Sequence, residues 1–194
     1  ELRLAAKMFY RLNIVDKNFK ILKTNKVLSI DKKIDLIKDF EHNYIFLING
    51  KLNSSNFSYE EKDKIKLNSC NKSFNYKISD NPMVCLNHAL AENGYSLEIE
   101  KNYKFKKILV IYNLFTKNLE NKILNIKNKI KLNENSELHI MDYTINESKF
   151  INNTYEEIIL EKDLKFKNIS IQNNKSNGFF HKFLKNKLSL NSNY

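Results

Sequence analysis

Along this chain of 194 residues the spacing of apolar side chains changes period at least twice. In ELRLAAKMFYRL, Leu4, Met8, Phe9 and Leu12 recur at helical intervals. A second helix is expected from an Asp31 cap, burying Ile34, Ile37 and Phe40. The run YIFLINGKL (44–52) is broken by Asn49-Gly50, a pair that supplies positive φ at both turn positions and predicts a hairpin. Ser58 and Glu61 are spaced for a capping box, and 63–80 read as a polar connector. Asn81-Pro82 then opens a helix expected to reach about Glu92, with Gly94 as its left-handed stop and Met83, Leu86 and Leu90 on one face. After Gly94 the period becomes two: Tyr95, Leu97 and Ile99 alternate with Ser96, Glu98 and Glu100. The apolar run 108–112, and Leu124, Ile126, Ile130 and Leu132 at even positions, continue as strands.

A repeat lies in the polar turns between those strands. Ile99-Glu-Lys-Asn102-Tyr-Lys-Phe105 matches Leu132-Asn-Glu-Asn135-Ser-Glu-Leu138 and Leu160-Glu-Lys-Asp163-Leu-Lys-Phe166, and begins again at Leu190-Asn-Ser-Asn193. Each Asn or Asp is expected to take a left-handed corner between strands that face one core. Corners recurring at this interval suit a β-solenoid, in which each coil buries its inner face on the next; a β-sandwich with asparagine-rich turns is the alternative. The reading is a mainly β chain with an N-terminal α-helical region, a β-solenoid, and a truncated end at Asn193-Tyr194, inside a fourth corner. Residues 1–80 form a helical and mixed region with the hairpin, and 81–194 a lead-in helix and the first coils.

The net charge of +11 suggests nucleic acid, but Arg3 and Arg11 are the only arginines among 33 basic residues, and the lysines are spread along the whole chain. Arginine's planar fork is the usual reader of phosphate and guanine, so nucleic-acid binding is disfavoured. Two cysteines without a Cys-x-x-Cys pair fit a reducing compartment. No apolar run approaches the roughly 20 residues needed to span a bilayer, and a cytoplasmic protein is the simplest expectation.

Candidate chemistry is sparse. Cys85 and His88 stand at i and i+3 of one helix, yet a metal would need two more ligands and none lies nearby in sequence. A small packed cysteine and a polar-face histidine are the expected roles. Cys70 lies in the connector, and His42, His139 and His181 read as surface or turn residues. Asp142 with the Glu156-Glu157 pair is a conceivable carboxylate couple, better explained as solvated faces on a lysine-rich surface. Gly50, Gly94 and Gly178 are too far apart for a phosphate loop. No catalytic, cofactor or metal residue is assigned.

Leu86-Asn87-His88-Ala89-Leu90-Ala91-Glu92-Asn93-Gly94 resembles the "LN-x-A-x-x-x-D/N-G" signature of SufD-type members of the SufB/SufD family of iron–sulfur cluster assembly. LEIEKNYKFKKILVIYNL resembles the stretch that follows in that family, with Lys107-Ile108 where the family usually has Pro-Ile. YIFLINGKLNSSNFS is similar to its "v-F-v-N-G-x-f" segment, and INNTYEEIILEKDLKFKNISIQN to its "N-x-x-x-E-I-x-L" coil, ending in the glutamine matched by Gln172. The likeness covers about residues 44–194. It implies a right-handed parallel β-helix and a non-enzymatic scaffold acting with SufB-like and SufC-like subunits, and an iron–sulfur cluster assembled transiently on the full complex with none bound by this segment. Carbohydrate binding by a β-solenoid and the paralogous SufB role are the competing readings.

Overall fold

The computed structural model describes residues 20–21, 36–70, 80–174 and 178–194, and the predicted helices of the first 35 residues lie outside them. The described chain is mainly β. It comprises β1 (Lys20–Ile21), β2 (Asn43–Ile48), β3 (Lys51–Asn56), β4 (Ile65–Ser69), helix α1 (Pro82–Leu90), β5 (Tyr95–Ile99), β6 (Leu109–Phe115), β7 (Lys122–Leu132), β8 (Glu137–Asn146), β9 (Ile151–Leu160), β10 (Lys165–Asn174) and β11 (Phe179–Leu188).

Two mixed sheets result. Sheet A runs β4-β5-β7-β9-β11, with β1 also paired to β7; sheet B runs β3-β2-β6-β8-β10. From β5 to β11 successive strands alternate between the sheets and pair in parallel with the strand two before them. Among the described residues only β3 on β2 and β4 on β5 are antiparallel. The region 63–80, read as a connector, therefore contributes a strand, β4.

Alternation fixes which side chains meet inside. Ile99, Leu132, Leu160 and Leu188 stand side by side across sheet A, with Leu97, Ile130 and Ile158 in the next row. All but Leu188, which is exposed on the last strand, face Ile45, Leu109, Ile111, Leu138, Ile140 and Phe166 from sheet B, forming the main core.

Corners are made by Asn102, Asn135, Asp163 and Asn191, all at φ between 55° and 62°. Asn and Asp tolerate this left-handed region because their short polar side chains bond locally. The Asn135 amide donates to Asn102 Oδ1 at 3.0 Å, and Asn191 to Asp163 Oδ1 at 3.1 Å, so neighbouring corners are tied edge to edge. The fourth corner falls at Asn191, not Asn193. The repeat is aligned by Leu188, the register partner of Leu160, and not by Leu190.

The hairpin of β2 and β3 turns on Asn49 (φ 50°) and Gly50 (φ 77°) as expected. The expected capping box is not formed: a short 3-10 turn at Lys62–Lys64 has Glu61 as its N-cap without a side-chain bond. Its neighbour Glu60 is instead a buried acceptor for the Asn43 amide, the Tyr103 hydroxyl and the backbone N–H groups of Lys106 and Lys107. One carboxylate thus ties the N-terminal strands to the first corner. Residues 36–40, expected to end a helix, are irregular, with Ile37 packed on sheet B and Phe40 exposed.

Candidate functional site

Helix α1 begins as its sequence dictates: Asn81 Oδ1 accepts from Met83 N (2.9 Å) and Val84 N (3.3 Å), with Pro82 following. It ends earlier than expected, at Leu90 with Ala91 as C-cap, and Gly94 is not its stop. A Cβ on Gly94 would lie 1.8 Å from the Lys127 carbonyl oxygen, so the glycine permits close backbone approach to β7. Asn87 is fully buried, and its amide donates to the Ile126 and Asn153 carbonyls at 2.7 Å each, pinning α1 across β7 and β9. Asn153 reciprocates by donating to the Met83 carbonyl at 2.8 Å.

Cys85 and His88 diverge from that helix. Cys85 packs on the apolar cluster of Met83, Leu86, Ile123 and Ile151. His88 lies edge-on to Tyr155 at 4.7 Å, with Lys127 Nζ 3.4 Å from its Nδ1, and is therefore not on a solvated face. Burial, helped by Lys127 and Lys185, pushes its pKa down to about 4, so at neutral pH the ring is an uncharged acceptor. Burial also pushes Lys127 down to about 8 and raises the thiol of Cys70. Among the described residues, no group of three or more His, Cys, Asp and Glu is placed to hold a metal. His42 and His181 are bound rather than solvated: His42 meets the Tyr112 hydroxyl at 2.8 Å, and His181 meets Asn153 Oδ1 at 3.0 Å.

The most concentrated polar chemistry is inside the molecule. Two residues along each strand from the aliphatic rows, the inward positions become Asn128 and Glu156 in sheet A, and Asp142 and Ser170 in sheet B. Next to them stand Thr154 and Lys182, facing Asn113, Thr144 and Gln172. Alternation separates the two adjacent glutamates. Glu157 points outward to Lys187 (2.8 Å) and Lys185 (3.8 Å), whereas Glu156 points inward and is 2 % exposed. The expectation of solvated carboxylates fails for Glu156 because its position belongs to the interior row of β9.

Lys182 comes from β11 with 38 % of its side chain exposed, and its ammonium reaches inward to Glu156 Oε2 (2.5 Å) and Asp142 Oδ2 (3.3 Å). Asp142 also accepts from the Asn113 amide at 2.5 Å. Burial alone would lower the lysine pKa, but attraction to Glu156 and Asp142 more than reverses that, and the ammonium keeps its charge. Burial raises the Glu156 pKa, Lys182 opposes the rise and Asp142 adds to it. Tyr95, wholly enclosed beside the same carboxylates, has its phenol pushed well up by burial and by their charge. A cavity of about 60 Å³ opens beside the triad, lined by Asn113, Asn128, Thr144, Thr154 and Gln172 among others. It is polar and roomy enough to hold water. Lys182 occupies the space between the carboxylates, and the chemistry on offer is charge pairing that joins β9 and β11 of sheet A to β8 of sheet B.

Sequence reasoning missed Lys182 and misplaced Glu156. The signal was the period of 28 residues that relates Leu160 to Leu188, which also brings Lys182 beside Thr154 and next to the Glu156 row.

Comparison with known proteins finds no matching family, no matching curated protein and no matching solved structure.

Proposed function

We propose that this chain is a segment of a non-enzymatic scaffold of the SufD type, built as a right-handed parallel β-helix and working in the cytoplasm with SufB-like and SufC-like subunits. The observation that carries the reading is the use made of the resembling motif. Its asparagine, Asn87, is spent on bonds to two strand carbonyls, and its glycine, Gly94, on close approach to β7. Both are architectural tasks, and a shared architecture is what the resemblance implies. Strands that alternate between two sheets, with left-handed Asn and Asp corners, support the β-helix.

Among the described residues β10 and β11 are the outermost strands of their sheets, and Leu184, Leu188 and Leu190 are 40 %, 54 % and 76 % exposed. Such an edge is where a further strand, from this protein or from a partner, would pair. The test is co-expression with a SufB-like and a SufC-like protein followed by size-exclusion chromatography. Co-elution that is lost with Leu188→Asp is expected. A folded chain that elutes alone, or that binds glycans on an array, would contradict the proposal.

A further inference from the structure

The outer face of sheet B carries an apolar stripe. In register, Phe46, Tyr112, Tyr143 and Ile171 lie side by side, and Tyr44, Val110, Met141 and Ile169 form the neighbouring row. Cover along this stripe falls strand by strand. Val110 and Tyr112 are enclosed, Met141 and Tyr143 are half-buried, and Ile169 and Ile171 are 57 % and 41 % exposed. The enclosed end shows what this face accepts. Leu36 and Ile37, in irregular chain, pack on it, and the Ile37 N–H donates to the Tyr112 hydroxyl at 3.1 Å.

Charge at the border of the stripe narrows the choice of occupant. Lys165 and Lys167 precede Ile169 and Ile171 on the same outward row of β10, both exposed, and Lys104 lies in the row of Lys165. Glu137, between Lys104 and Lys165, is shared with His139 at 3.4 Å. A second copy of a chain with net charge +11 would bring like-charged borders together.

We propose that the outer face of β8 and β10 docks an amphipathic segment of a partner protein, whose aliphatic side chains cover Met141, Ile169 and Ile171 and whose acidic residues meet Lys165 and Lys167. This surface lies on the side of the sheet and is distinct from the strand edges invoked for assembly.

The test titrates the purified chain into a fluorescein-labelled helical peptide with a leucine stripe and glutamates at one end, and into the same peptide with lysines in their place. Saturable binding of the glutamate peptide is expected, at least about tenfold tighter than the lysine peptide, because acidic groups complement the border. Ile171→Asp should weaken it by about tenfold or more, since desolvating an isoleucine is worth that much. Lys165→Glu with Lys167→Glu should weaken it and remove most of its salt dependence. Leu188→Asp, on the strand edge, should leave it unchanged, which separates this surface from the assembly reading. Thermal melts check that each variant folds, with Ile171→Ser as the milder exchange. Absence of binding, equal affinity for both peptides, or indifference to the Ile171 exchanges would overturn the proposal. So would Ile171-dependent self-association in sedimentation, which would give the face to a second copy.

Discussion

The interior of this protein sets side by side two parts built by the same strands on opposite principles, an apolar core and a charged layer, with a second apolar cluster of Phe115, Leu119, Leu124, Ile126 and Phe150 beyond the charged one. Near the left-handed corners, inward positions are Ile99, Leu132, Leu160, Leu97, Ile130 and Ile158, all fully buried. A few residues along the same strands, the inward positions are Asn128, Glu156 and Lys182, opposite Asp142. The first is held by non-directional burial, which tolerates exchange among aliphatics. The second is held by a charged triad in which two carboxylates share the Lys182 ammonium. The ladders of backbone bonds are common to both, so the side chains alone make the difference.

The apolar part should be the costlier to damage. Leu132→Ala, with a wholly buried side chain at the centre of its row, is expected to lose about 3–4 kcal/mol in urea unfolding, since its neighbours are held by the ladders and collapse only in part. Next comes Lys182→Met, which strands two carboxylates without their cation. The expected loss is about 2–3 kcal/mol, below the usual range for a fully buried pair because the lysine stem is partly exposed. Replacing Glu156 as well, in Lys182→Met with Glu156→Leu, should recover most of that loss, because an apolar pair of similar volume often replaces a buried ion pair without penalty.

The pH dependence sharpens the contrast. Glu156 has a raised pKa in the folded state, so the native chain holds its proton more tightly than the unfolded one. Its contribution is greatest below its ordinary value of 4.5 and fades as pH rises through the raised one. Glu156→Gln should therefore flatten the decline in stability over that window, as read by thermal melts across pH. Leu132→Ala should lower the whole curve without changing its slope there. The smallest effect is expected on the outside. Glu98, whose carboxylate is held low by its bond to the Lys131 ammonium, should lose only about 0.5 kcal/mol on Lys131→Ala, and this loss should shrink in high salt.

Much of the apolar interior is legible in the sequence. Tyr95, Leu97 and Ile99, and Leu124, Ile126, Ile130 and Leu132, announce their inward positions by alternation, and Asn49-Gly50 announces the hairpin. The charged part hides behind the same rule. Glu156 and Lys182 occupy interior positions, but a lysine-rich chain offers many charged residues at even spacing, and only the register tells which face inward. Register in turn depends on the corner: aligning on Leu190 instead of Leu188 shifts β11 by two residues and removes Lys182 from its place beside Thr154. Strand β4 was hidden for a different reason. Its pattern, Ile65-Lys-Leu67-Asn-Ser69, carries two aliphatic positions, and its pairing to β5 decides the matter. His88 and Asn87 show the same limit on α1, since which side of a helix is covered depends on the sheet beneath it.

A double-mutant cycle of Glu156→Gln and Lys182→Met in urea asks whether the charged interior is a clasp whose members act together. For such a clasp Glu156→Gln costs little, Lys182→Met costs much, and the pair together costs clearly less than the sum of the two. Additive losses would mean that Glu156 and Lys182 do not act on one another, and would contradict the clasp.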